Sequence, residues 1–173
     1  MSLVRPESSE YAPFYAGYVA RVPEDDILSV LQRQGEEIRD LARSLPAAKE
    51  TYRYADGKWS IREVLGHLID GERVFGYRAF CFSRGEQAPL PSFDENQYVA
   101  GAGADQIPAA ELGSEFAAVR ASNLAFLRRL SAADAKQLGT ASGNPISVRA
   151  LAYIMAGHPR HHLAVLRERY GVA

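Results

Sequence analysis

The chain holds 173 residues, of which 47% are apolar and 24% charged, the balance of a single ordinary globular domain, so disordered and collagen-like readings drop out. A formal net charge of -1 supplies no bulk attraction for a phosphate backbone, which makes nucleic acid a poor partner. One cysteine, Cys81, excludes an intrachain disulfide and a cysteine-based zinc knuckle, and it reads as a small buried apolar residue.

The N-terminal stretch lacks the basic start and continuous apolar run of a signal peptide, and no segment approaches the length of a membrane span. The expectation is a cytoplasmic protein with a small-molecule substrate and neither membrane nor nucleic acid as partner. Residues 1–22 read as an arm packed along the rest of the chain, with Tyr11, Phe14, Tyr15 and Tyr18 as its anchors or as pocket walls. Pro13 and Gly17 argue against a long helix there.

A first long helix is expected from about Glu24 to Leu45. Pro23 and the acids Glu24, Asp25 and Asp26 favour a start, and Ile27, Leu31, Gln34, Ile38, Leu41 and Leu45 form a seam with one polar member. The second has the clearest start in the chain, the capping box Ser60-Ile61-Arg62-Glu63, and runs to Gly85. Residues 86–106, with Pro89, Pro91, Gly101 and Gly103, read as a long loop with a short helical turn near Asp94 to Val99. Such a loop often lines a functional site.

Pro108 begins a third helix, carrying Leu112, Phe116, Val119, Asn123, Phe126 and Leu130 on one face. Ser131 to Asp134 resembles a second capping motif, for a short helix ending near Gly139. The fourth long helix starts at Ser147 and stops at Tyr170-Gly171. Nothing alternates with period two for long enough to build a sheet, so the fold class is all-α, a four-helix bundle in one domain over 1–173.

Three histidines stand where a metal would want them. His158 and His162 are four residues apart and stack on one helical face. His67 lies beside the apolar stripe of the second helix. Together they offer three imidazoles and an open position, the mark of a working metal site. His161 is the competing ligand. Pro159 removes a helical hydrogen bond and clashes with the carbonyl of Met155, which predicts a kink or widened turn beside the ligands. The glutamate of His-Glu-x-x-His is missing, which disfavours a zinc-protease mechanism.

Three stretches carry a family resemblance: Trp59-Ser60-Ile61-Arg62-Glu63 leading to His67-Leu68, then Ser92-Phe93-Asp94-Glu95-Asn96-Gln97-Tyr98, then His158-Pro159-Arg160-His161-His162-Leu163. In that order they resemble the DinB-like superfamily, which includes the bacillithiol transferases, over nearly the whole chain. Pro159 departs from the usual non-proline residue. The resemblance implies a four-helix bundle binding a divalent metal through His67, His158 and His162, frequent homodimers, and transfer of a low-molecular-weight thiol.

A metal with three neutral ligands would activate such a thiol, or water, for attack on a small molecule, so the leading expectation is a thiol (S-)transferase-like enzyme. A metal-dependent hydrolase and a non-catalytic metal-binding protein are the alternatives. Zinc, nickel and iron all suit imidazole. Asp70, His161, Asp94 and Tyr98 are candidates for the surroundings of the metal or the pocket. Asp70, Glu63 and Asp94 are the acids considered as general base, and no residue is singled out as catalytic.

Overall fold

A computed structural model describes residues 3–172, so the first two residues of the 1–22 arm lie outside the described residues. The arm runs through two 3-10 turns into a short helix, α1 (Ala16–Ala20). Helix α2 (Ile27–Ser44) starts later than the expected Glu24, because Asp26 is its N-cap and accepts the Ser29 amide N–H at 3.2 Å. Pro23 therefore belongs to the approach and not to the first turn. Helix α3 (Ile61–Ser83) begins at the capping box read from the sequence: the Glu63 amide donates to Ser60 Oγ at 3.0 Å, and the Ser60 amide to Glu63 Oε2 at 2.7 Å.

The stretch 86–106 is more ordered than the expected loop. It holds helix α4 (Glu95–Ala102), capped by Asp94 and closed by Gly103 at φ 62°. Helix α5 (Ala109–Leu127) follows, then α6 (Ala132–Lys136) with its Ser131 capping box, and finally α7 (Val148–Tyr170).

Between α6 and α7 lies an element the periodicity did not reveal. Strands β1 (Leu138–Ala141) and β2 (Asn144–Ser147) form an antiparallel hairpin, with Leu138 opposite Ser147 and Ala141 opposite Asn144. The expectation of no sheet is thus corrected by one small ribbon. Its loop is Ser142-Gly143, both at positive φ (52° and 76°), as the tight turns favoured in hairpins require. Leu90 pairs with this ribbon: its amide donates to Thr140 O at 2.8 Å, and its carbonyl accepts from Ser142 at 3.1 Å. The ribbon thereby fixes the segment before α4 against the bundle.

Helices α2, α3, α5 and α7 form the four-helix bundle. Both α2 and α3 pack against α5 and α7, so the consecutive pair α2 and α3 sits on a diagonal. The core is divided across its waist. One apolar cluster gathers Ile27, Leu31, Phe75, Phe82, Leu124 and Leu151, and another gathers Ile38, Leu65, Leu68, Phe116, Leu163 and Leu166. Between the two, each long helix contributes buried polar residues: Gln34, His67 with Glu72, Arg120, and His158. Cys81 is half-buried against the first cluster. Among the described residues no helix is long and apolar enough to cross a membrane.

Candidate metal centre

Helix α3 presents His67, and the neighbouring α7 presents His158 and His162. Close approach makes this convergence possible. A Cβ on Gly71, one turn beyond His67, would lie 2.8 Å from His158 Cε1, so only glycine leaves room for that ring. On the other side of α7, a Cβ on Gly157 would stand 2.0 Å from the Tyr18 carbonyl oxygen, so the backbone of α1 rests directly on the helix beside His158.

Pro159 sits inside α7, yet the helix runs as α-helix from Val148 to Tyr170, without the widened turn that is one of the two expected outcomes. The physical reason is a substitute donor. Proline withholds an N–H from the Met155 carbonyl, and Arg120 Nη2 donates to that oxygen at 2.9 Å. Gln34 Nε2 donates to the next carbonyl, Ala156 O, at 2.9 Å. Arg120 is itself held by Glu72 through two bonds of 2.8 Å, by Leu31 O at 3.0 Å and by Gln34 Oε1 at 3.2 Å. Asn123 adds a bond to Glu72 Oε1 at 2.9 Å. A buried polar network thus carries the helix across its missing bond.

The three rings form a near-regular triangle, with centroids 4.7 Å apart on every side. One nitrogen from each lies within 4.8 Å of the others. His67 Nε2 faces His158 Nε2 at 2.8 Å, an arrangement in which at least one nitrogen must offer a lone pair. Among the described residues that facing contact is the only hydrogen bond these three rings make. Burial holds the imidazoles neutral: it pushes His67 down to about 4, against the opposing charge of Glu95, and His162 down to about 3 with help from His67 and His161. His158, the most enclosed, is held well below its ordinary range by burial and by His162. Three neutral, converging nitrogen donors fit a divalent cation of borderline softness such as zinc, nickel or iron.

The triangle opens on a cavity of about 440 Å³. Trp59 stands 4.8 Å from the His67 ring, and Tyr18 meets His158 edge-on at 5.6 Å. The aromatic residues of the arm, Phe14, Tyr15 and Tyr18, line this space, so the arm is both packed along the bundle and part of the pocket. Ser92, Phe93 and Glu95 enter from the segment before α4 and from its first turn, and Ser142 from the hairpin turn.

The other predicted site residues separate. His161 lies on the cavity wall, 5.0 Å from the His162 ring and 5.7 Å from Tyr18, outside the converging triangle. Asp70 faces a different cleft, shared with Arg73 and Glu115, where burial pushes its carboxyl up. Asp94 is engaged as the α4 cap, accepting the amides of Asn96 and Gln97 at 2.9 and 3.1 Å. Tyr98 packs against Phe93 at 5.2 Å and is 47% exposed, set back from the cavity. Glu63 is occupied by the Ser60 amide and by Arg53. The acid that does face the cavity is Glu95, next to the one the sequence suggested, with its negative charge felt at His67. The capping of α4 by Asp94 decides between the two.

A family model described as the DinB superfamily matches residues 31–166. Among solved structures, the chain is similar to YfiT from Bacillus subtilis, described as "a probable metal-dependent hydrolase with an unusual four-helix bundle topology". The two share 20% identity over 99% of each chain, with a TM-score of 0.76, a likeness of fold. No curated protein matches the chain.

Proposed function

Because the chain belongs to the DinB superfamily, we propose that it is a divalent-metal-dependent enzyme acting on a small molecule, with His67, His158 and His162 as the metal ligands. The observation that carries this reading is the triangle of neutral imidazoles, with no hydrogen-bond partner outside the triangle among the described residues and open on one side to a cavity. A divalent cation held there would make a bound water or thiol acidic enough to lose its proton near neutrality, the pKa of water falling from ~16 to about 7.

The chain's own groups supply the rest. Glu95 faces the same space and accepts the proton released by the nucleophile. Trp59 and Tyr18 pack against His67 and His158 and limit how those rings can turn. The aromatic walls exclude water from the apolar part of a substrate. Of the two nucleophiles we favour water, for which Glu95 would serve as general base. The similarity of fold to a probable metal-dependent hydrolase supports the same reading. Transfer of a low-molecular-weight thiol, implied by the family resemblance, uses the same site and is the second reading.

Elemental analysis of protein purified without a histidine tag tests the metal. The expected result is a stoichiometric divalent ion that is lost in His158→Ala. Protein that stays metal-free after exposure to zinc, nickel and iron would overturn the proposal. Panels of esters and amides, and of electrophiles with bacillithiol, separate the two chemistries, and Glu95→Gln is expected to suppress hydrolysis at least about a hundredfold. Sedimentation of the same preparation tests the homodimer that the resemblance implies.

A further inference from the structure

Trp59, His161 and His162 line two cavities, the one of about 440 Å³ described above and a second of about 280 Å³. They form the partition between the two. Trp59 lies near-parallel to the His162 ring, at 26° with 6.4 Å between centres. The first turn of α4 straddles the same division, with Glu95 on the first cavity and Asn96 on the second. His162 is thus approached from two sides, and a molecule in the second cavity borders it without passing through the first.

The two spaces differ in charge. Among the described residues Glu95 is the acid of the first cavity, and neither lysine nor arginine lines it. The second holds Lys58 and, among the described residues, no carboxylate. Lys58 is exposed and takes part in no ion pair among the described residues, so its ammonium is open to a ligand. A turn fixes its place: the Lys58 amide donates to Ala55 O at 3.2 Å, and Gly57 between them has φ 71°, a value that favours glycine. Aromatic residues supply much of the wall. Tyr54 meets Tyr170 edge-on at 5.0 Å, and Tyr170 Oη donates to Trp59 O at 2.7 Å, which ties three aromatic residues together beside Lys58. The space falls just under the range of about 300–1,000 Å³ that encloses a drug-sized molecule, so its occupant is smaller.

We propose that this second cavity is a binding site for a small aromatic monocarboxylate, whose carboxylate accepts from Lys58 Nζ and the Asn96 amide while its ring packs on Trp59 and Tyr54. A cation and an amide donor match one negative charge, and the aromatic wall matches a flat apolar body. The occupant lies against His162 on the side away from the first cavity. That two bound molecules then meet at one metal rests on the function proposed above; the carboxylate site does not.

Quenching of Trp59, the single tryptophan of the chain, reads occupancy of the site. The full chain is treated with chelator, since a bound metal would itself attract a carboxylate, and titrated with phenylacetate and its neutral counterpart phenylacetamide. Wild type is expected to bind the acid about fivefold more tightly than the amide. Lys58→Arg should keep that preference and Lys58→Gln should abolish it. The side chain is exposed, so these variants alter binding and not folding. Tyr54→Ala should weaken phenylacetate, whereas Phe14→Ala, which strips an exposed ring from the first cavity, should leave its affinity unchanged. Equal affinity for acid and amide in wild type, or a preference that survives Lys58→Gln, would overturn the assignment. So would an affinity that falls in Phe14→Ala and not in Tyr54→Ala, because the acid would then lie in the first cavity. A protein that loads no metal leaves this result standing, and one that loads metal without preferring the acid loses only the second site.

Discussion

Two polar clusters share the waist of the bundle and are built on opposite terms. Around Arg120, Glu72 faces the guanidinium with both oxygens, Gln34 and Asn123 supply further bonds, and two backbone carbonyls take the remaining donors. Around His67, the single hydrogen bond that the three imidazoles make among the described residues joins His67 to His158, and a cavity lies beyond them. The first cluster is complete within the chain and serves the helices it joins. In the second, among the described residues, His67 and His158 bond only to each other and His162 makes no hydrogen bond. Satisfied interior groups maintain the fold, and the unsatisfied histidines are the groups we propose to receive a ligand.

The sharpest way to break this contrast is to unbalance the complete cluster. Glu72→Ala leaves Arg120 charged and buried without its carboxylate, and the expected loss is about 3–5 kcal/mol of stability, read by urea denaturation. His67→Ala tests the other side. Without metal the variant is expected within about 1–2 kcal/mol of wild type, whereas the gain of about 4 kcal/mol that metal gives wild type at a thousandfold excess over Kd should vanish. A metal-free His67→Ala protein as unstable as Glu72→Ala would erase the distinction between the clusters.

A subtler change sharpens the comparison. Gly71→Ala puts a methyl against the His158 ring and should lower metal affinity about 10–100-fold, measured by competition with a chromophoric chelator. Equal affinity in this variant would show that the ring has room to move.

The smallest effect concerns pH and a pair away from the waist. Burial raises the Glu10 carboxyl, but bonds from Arg149 and Ser147 outweigh it and hold the group at about 2, below its ordinary 4.5. The stabilisation is therefore fully present above about pH 4.5 and is lost as pH falls toward 2. The pair is largely enclosed, but glutamine keeps an oxygen that can accept from Arg149, so Glu10→Gln should cost only about 1 kcal/mol at pH 7 and flatten the acid side of the stability profile. An unchanged profile would mean the pair contributes nothing.

The sequence discloses the long helices and the candidate metal ligands because their signals are local: capping at Ser60, four-residue spacing at His158 and His162, apolar stripes along each helix. It conceals what depends on distant partners. The donor that relieves Pro159 comes from Arg120, 35 residues before the carbonyl it serves. Strands of four residues containing Gly139 and Pro145 are too short and too irregular to show alternation, so the hairpin that carries Ser142 to the cavity stays hidden. Asp70 follows His67 closely in sequence yet turns to another cleft. Arg78 is buried through the segment before α4 and the hairpin, whose places against α3 no local pattern announces.

The missing rung at Pro159 also acts as a register mark. Slide α7 by one residue along its axis, and the carbonyl deprived by proline would move away from the Arg120 guanidinium and have no donor. The helix therefore has a single setting at which its own ladder and the buried guanidinium are both satisfied. His158 and His162 inherit that setting, so an ion held by them would leave little positional freedom to be surrendered.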